Sequence, residues 1–208
     1  MQTVDICFLG GLGDSADAWR GVIDKLPSQW NITTLSLNDL CPLEQFSLDS
    51  AVSALEARLG EASRQTHLVG LSAGAMLAMR YGAKHRIASL FLSAPQVRPP
   101  KALMTIQNAI FRFIPARVLQ SSGISRQGMI STARALAKAD LTADAKQIAA
   151  PTTIACGSKD KANLKAARLT RQLIARSKLV IVDQAKHEWH TQLPEQFAHE
   201  LTRHLNAL

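Results

Sequence analysis

Apolar positions along the chain follow two alternating rhythms. Short runs rich in β-branched and aromatic residues are separated by longer stretches whose apolar positions recur every three or four residues. Residues 4–9 are the first short run, ending in Gly10-Gly11-Leu12-Gly13. Residues 19–26 have helical spacing and stop at Pro27. Residues 31–37 read as a second strand, with Asn38-Asp39 as its turn. After Ser47, the positions Leu48, Val52, Leu55 and Leu59 share one helical stripe. Residues 67–71 are a third strand, running into a helix over 73–84 that starts with small residues. Residues 87–93, 152–156 and 178–182 bring the strands to six, and 163–175 and 194–205 are helical. This alternation predicts an α/β protein: a parallel sheet with helices on both faces. Such sheets bind ligands beyond the carboxyl ends of their strands.

Residues 98–150 break the rhythm, with no strand pattern. Leu103, Ile106, Ile110, Phe113 and Ile114 form one apolar face that ends near Pro115, and 124–139 give a second helical pattern. The expectation is one domain over 1–208 with a helical insertion between the fourth and fifth strands. Both flanking strands end at the carboxyl edge, so the insertion should fold over that edge as a cap. Ile106, Ile110 and Phe113 would then either pack on the sheet's own helices or line a substrate pocket. Arg112 and Arg117 lie near that face and could meet a substrate carboxylate.

Composition narrows the class. With 208 residues, 47% hydrophobic and 19% charged, the chain is globular. No apolar run approaches the length of a membrane span. The first residues lack a basic stretch and carry Asp5, so they read as a strand and not as a signal peptide; a cytoplasmic location is expected. Cys7, Cys41 and Cys156 have neither disulfide nor metal spacing. The net charge of +8 is concentrated in residues 98–208. Aromatics are only 5%, there is no basic run of five, and no nucleic-acid-binding signature occurs. The charge reads as solvated helix faces, or as a positive mouth for an anionic small-molecule substrate. Oligomeric state is not legible.

The chemistry sits at strand ends. Gly70-x-Ser72-x-Gly74 is preceded by an apolar strand and followed by a helix. That strand–turn–helix lifts a serine hydroxyl clear of the sheet, beside the positive end of a helix. A serine hydroxyl is a poor nucleophile without a base. His67 begins the strand at the wrong end, His85 lies a helix away, and His199 and His204 fall in the closing helix, surface or half-buried. His187 follows the sixth strand at the edge where Ser72 emerges and is the candidate base; His190 is read as a pocket-wall neighbour. Asp160, after the fifth strand, is the candidate acid, with Asp183 its rival; no acid follows the fourth strand, where Ala94-Pro95-Gln96-Val97 stands. The glycine-rich loop after the first strand offers backbone N–H groups, so Leu12 and Ala73 are the candidate oxyanion donors. Gly11-x-Gly13 with Ala16 is a poor dinucleotide fingerprint without a clear ribose partner. The sequence calls for no cofactor and no metal.

Together these segments resemble the α/β-hydrolase superfamily over nearly the whole chain. The Gly-Gly-Leu-Gly…Trp19 opening resembles that family's H-G-x-G…W, with Gly10 for the histidine. Gly70–Gly74 resembles its elbow, 150–160 its P-x-x-x-x-x-G-x-x-D, and Lys186-His187 through Phe197 its G-H…P-E-x-F ending, with Lys186 for glycine. The resemblance places residues 4–9 at the family's third strand, implying a mostly parallel six-stranded sheet with a small cap over 98–150. It implies a Ser72–Asp160–His187 triad, in the family's chain order, acting on an ester or related acyl bond. The Gly157-x-x-Asp160 and His187-x-x-His190-x-x-x-Pro194 spacing is also similar to the menaquinone-pathway synthases that eliminate pyruvate from an anionic cyclohexadiene, but Met76 stands where they carry an arginine. That lyase chemistry, and use of the fold as a non-catalytic ligand-binding protein, are the alternatives.

Overall fold

The computed structural model describes residues 4–99 and 125–208. Strand β1 (Asp5–Leu9) leads through a 3-10 turn at Ala16–Trp19 into α1 (Arg20–Ile23), then β2 (Asn31–Leu35), α2 (Leu37–Leu40), a 3-10 turn at Leu43–Gln45 and α3 (Leu48–Leu59). Next come β3 (Thr66–Leu71), α4 (Ala73–Lys84) and β4 (Ser89–Ser93). Residues 125–208 carry α5 (Arg126–Ala137), α6 (Thr142–Gln147), β5 (Thr152–Gly157), α7 (Lys161–Leu173), β6 (Ser177–Val182), α8 (Trp189–Gln192) and α9 (Pro194–Leu205). The six strands form one sheet in the order β2-β1-β3-β4-β5-β6, with every neighbouring pair parallel. The expected α/β sheet is present, and it is parallel throughout.

Both faces of the sheet are buried, which is why its central strands read as nearly unbroken apolar runs. Side chains alternate across the pleat. Cys7, Leu9, Leu68, Leu90, Leu92 and Ile154 pack on one face, against α3, α4, α5 and α6. Ile6, Phe8, Val69, Leu71, Phe91 and Ala155 pack on the other, against Trp19, Val22, Trp189, Phe197 and Leu201. The edge strands β2 and β6 are only partly buried, and Ile181 on β6 is exposed.

Local chemistry shifts some boundaries. The expected turn at Asn38-Asp39 is helix α2. Ser36 Oγ accepts from the Asp39 N–H, and the Asp39 carboxylate accepts from the Ser36 N–H at 2.7 Å, a reciprocal cap that starts a helix directly off the strand. Ser47 caps α3 in the same way, with Ser50 as its partner. The helix expected over 19–26 is a 3-10 turn and a single α turn.

The described part of the 98–150 insertion has two different placements. Helix α5 lies across the Leu43–Gln45 turn, where Thr132 Oγ1 donates to Leu43 O and Ser131 Oγ to Glu44 O. Met129 on this helix reaches the glycine loop after β1: a Cβ on Gly13 would lie 3.5 Å from Met129 Cε. Helix α6 instead packs on α4 and α7, adding Leu141, Ala145 and Ile148 to the core of one sheet face. The pocket candidates Ile106, Ile110, Phe113, Arg112 and Arg117 lie outside the described residues. Among the described residues no helix is long and apolar enough to cross a membrane.

Candidate active site

Ser72 stands between β3 and α4 with φ 53° and ψ −109°, a left-handed conformation that a side-chain-bearing residue rarely adopts. The turn is fixed on both sides. Its N–H donates to Ser93 O at 2.9 Å on neighbouring β4, and its carbonyl accepts from Met76 N at 3.0 Å in the first turn of α4. The two flanking glycines are needed for space. A Cβ on Gly70 would lie 2.6 Å from Gly74 O, and one on Gly74 would lie 2.2 Å from Leu9 O and 2.6 Å from Gly10 O. Those clashes are with backbone, which cannot swing aside. The start of α4 therefore sits directly against the loop leaving β1.

That loop is closed by Asp14, whose Oδ2 accepts from the Gly11 N–H at 2.7 Å; Gly10 N–H donates to Leu35 O at 3.0 Å. Among the described residues, no acceptor takes the N–H of Leu12 or of Ala73. These two backbone donors, on the loop after β1 and at the start of α4, are thus unpaired among the described residues.

The imidazole arrives from the other side. The loop after β6 folds back over the end of β5. Lys159 N–H donates to Ala185 O at 2.9 Å and Ser158 N–H to Val182 O at 2.8 Å. A Cβ on Gly157 would lie 2.3 Å from Ala185 O, so only glycine permits that approach. The buried Trp189 pins the loop from below through Nε1 to Ser93 Oγ at 2.7 Å. The result is His187 Nδ1 at 2.7 Å from Asp160 Oδ2, with the Asp160 side chain 5% exposed and that of His187 37% exposed. Asp183 is exposed and takes Ser158 Oγ–H at 3.4 Å instead. Burial pushes the His187 imidazole down, but the hydrogen bond and charge of Asp160 outweigh it, with Glu188 and Asp14 adding, and hold it above 6.5. No hydrogen bond joins Ser72 Oγ to His187 among the described residues; such contacts commonly tighten only when substrate is bound.

Three neighbours complete the picture. Asn163, three residues after Asp160 on α7, donates from Nδ2 to both Asp160 oxygens, at 2.7 and 2.9 Å. Gln96, just past β4, donates from Nε2 to Asn163 Oδ1. Neither was singled out in the sequence, although the i, i+3 spacing from Asp160 puts Asn163 within reach on the first turn of the helix. His190 is 1% exposed, its ring centroid 4.6 Å from that of Trp19, with both ring nitrogens unpartnered among the described residues. Burial pushes its pKa down and keeps the ring neutral. His85 lies at the end of α4 and His199 on the exposed face of α9, both away from this edge. His204 is not at the surface: it is 3% exposed, between Thr153 Oγ1 and Ser89 Oγ at 2.8 Å each. No competing thiol is activated. Burial pushes Cys7 and Cys156 up to about 12. Among the described residues no group of three His, Cys, Asp or Glu side chains could hold a metal ion.

A model of the alpha/beta hydrolase family matches residues 8–200. The chain belongs to the alpha/beta hydrolase family. Solved structures agree on the fold. MenH from S. aureus superimposes with a TM-score of 0.83 at 18% identity, covering 100% of this chain and 95% of that one. The enol-lactonase from Burkholderia xenovorans LB400 gives 0.81 at 16% identity, covering 99% and 92%. A thermophilic esterase from Thermogutta terrifontis gives 0.78 at 17% identity, covering 99% and 90%. No curated protein matches the sequence. Alpha/beta hydrolases of several activities share this architecture, so chemistry must be argued from the site itself.

Proposed function

We propose that this alpha/beta hydrolase is a serine hydrolase that cleaves an ester or related acyl bond of a small molecule through an acyl-enzyme. The observation that carries the reading is the His187–Asp160 hydrogen bond at the sheet edge where the Ser72 turn is held in a strained conformation. Enol-lactonase and esterase, the names of two of the similar structures, describe chemistry of this kind.

Asp160 accepts the His187 Nδ1–H, which leaves Nε2 as the free, basic nitrogen. His187 Nε2 takes the Ser72 hydroxyl proton as Oγ attacks the acyl carbon. The carbonyl oxygen becomes an oxyanion and receives the Leu12 and Ala73 N–H groups. When the tetrahedral species collapses, His187 returns its proton to the leaving oxygen, the alcohol departs and Ser72 is acylated. Water then repeats the cycle, with His187 as base, and releases the acid. The chemistry needs no cofactor. A substrate with an anionic group would suit the positive charge of residues 98–150.

Labelling by a fluorophosphonate, together with a panel of p-nitrophenyl acyl esters of increasing chain length, tests this. The wild-type chain should be labelled and should hydrolyse at least one ester. Ser72→Ala should lose all labelling and several orders of magnitude in turnover. Labelling that persists in Ser72→Ala places the nucleophile elsewhere. Labelling at Ser72 without turnover of any ester redirects the site to another reaction of the same triad, such as elimination from an anionic substrate. Absence of both leaves a ligand-binding protein.

A further inference from the structure

We propose that Asn163 and Gln96 form a positioning relay that fixes the Asp160 carboxylate against His187; this rests on the triad reading above. Asp160 is buried, and its oxygens have two side-chain partners among the described residues, His187 and Asn163. Asn163 Nδ2 spans both oxygens, at 2.7 and 2.9 Å. A carboxylate held at both oxygens cannot rotate about its Cβ–Cγ bond, so Oδ2 stays on the His187 Nδ1–H. Asn163 Nδ2 also lies 3.1 Å from His187 Nδ1. Both nitrogens are donors when Nδ1–H serves Asp160, so that approach is a packing contact and not a hydrogen bond.

The amide of Asn163 works in one orientation only. Reversed, it would set Oδ1 against the Asp160 carboxylate. Gln96 excludes that reversal by donating Nε2–H to Asn163 Oδ1. Gln96 is 7% exposed, and its own Oε1 is buried without a partner among the described residues. An unpaired buried carbonyl is unfavourable. Turning the Gln96 amide over would face two carbonyl oxygens toward each other, so the orphan oxygen is the consequence of keeping Asn163 aligned. The chain therefore runs Gln96, Asn163, Asp160, His187, from the end of β4 to the loop after β6. Glu188 and Asp14 also act on His187 through their charge, and the charge of His187 in turn lowers the His190 pKa; the relay does not touch them.

The test is Asn163→Ala and Gln96→Met, each checked for cooperative unfolding. Two readouts are used: the rate of fluorophosphonate labelling, and the His187 titration followed by the NMR signal of its ring Cε1–H. Asn163→Ala should slow labelling by about 10- to 100-fold, the size typical of partners that orient a working imidazole. Its His187 pKa should fall back toward 6.5, because Asp160 is free to turn away. Gln96→Met should move both readouts the same way by less. A slower rate with the wild-type titration would make the relay merely structural and overturn the proposal. So would an unchanged rate, or a pKa that rises, which would mean that Asn163 only shields the carboxylate's charge. Should Asn163→Ala fail to fold, Gln96→Met decides by the same two readouts. If the wild-type chain is not labelled at all, the hydrolase reading fails, while the His187 titration still judges the relay.

Discussion

Stability should fall steeply between pH 7 and pH 5 because of His204, at the opposite end of the sheet from Ser72. The ring is 3% exposed on α9. Its Nδ1 meets Thr153 Oγ1 and its Nε2 meets Ser89 Oγ, each at 2.8 Å, and Ser89 Oγ reaches His67 Nδ1 at 2.7 Å. This network suits a neutral imidazole with one donor and one acceptor nitrogen. Burial first, then the charges of Lys178 and His67, pull its pKa from 6.5 down to about 4. An imidazole with a depressed folded pKa is protonated more readily in the unfolded chain. Below pH 6.5 the unfolded state therefore gains protons that the folded state refuses, and stability drops until about pH 4. At about 1.4 kcal/mol per pH unit, the whole window is worth about 3 kcal/mol, and pH 5 already costs about 2 kcal/mol. Domains are stable by only roughly 5–15 kcal/mol, so this is a large share. Burial lowers the His67 pKa as well, which acts in the same sense. His187, whose pKa is raised, acts oppositely and only above 6.5: its contribution is full below that value and is lost as pH rises through its folded pKa. Urea unfolding at pH 5 and pH 7 measures the difference. His204→Gln keeps polar contacts but cannot titrate, and should lose most of the pH slope. A wild-type protein equally stable at both values, or a His204→Gln variant with the wild-type slope, would refute the reasoning.

Two further outcomes follow from the site. Since His187 must be neutral to act as base and is held above 6.5, the rate on any ester should rise through an apparent pKa above 6.5, under conditions where unfolding curves show the chain fully native; a limb centred below 6.5 contradicts the Asp160 pairing. Gly74→Ala should destabilise the protein by about 3 kcal/mol, the upper end of the overpacking range, and abolish labelling of Ser72, because its Cβ would collide with the backbone at Leu9 and Gly10; a variant with native stability and labelling would mean that α4 can slide back.

Much of the candidate site is legible in the sequence because it depends on local signals. The apolar run of residues 67–71 stopping at Gly70-x-Ser72-x-Gly74 fixes a strand–turn–helix, and the clash distances at Gly70 and Gly74 give its steric reason. Asp160 and His187 are candidates by their place just after strands whose carboxyl ends share an edge, and β5 pairing β6 brings the two side chains together. The missed residues depend on contacts distant in sequence. Nothing near Gln96 points to position 163; only the β4–β5 pairing brings those loops side by side. The closing-helix pattern puts His204 near the apolar stripe, but its burial is decided by Ser89 and Thr153, polar residues inside strands that needed a partner. Helix α2 was missed for a local reason. Ser36-x-x-Asp39 is a capping pattern, but it directly follows strand β2 and reads equally well as that strand's turn.

The two ends of the sheet divide stability from function. At the starting end, the half-buried His67 and the buried Ser89, His204 and Thr153 form a hydrogen-bonded chain, in which each hydroxyl and imidazole has a partner. At the carboxyl end the fold keeps costly features. Ser72, Ala94 and Gln184, described residues with positive φ that are not glycine, follow β3, β4 and β6 respectively. The unpartnered buried atoms at that end include Gln96 Oε1, Trp19 Nε1 and both nitrogens of His190. Each strained backbone position costs about 1–3 kcal/mol, and each unpaired buried group a similar amount. Stability alone would disfavour such costs. Their concentration at the sheet edge that carries Ser72, His187 and Asp160 fits the proposed site, since a pre-organised site must hold its groups in place before the substrate arrives. His190 carries this furthest: a neutral imidazole tilted against Trp19, three residues from His187, with two nitrogens that no described residue satisfies.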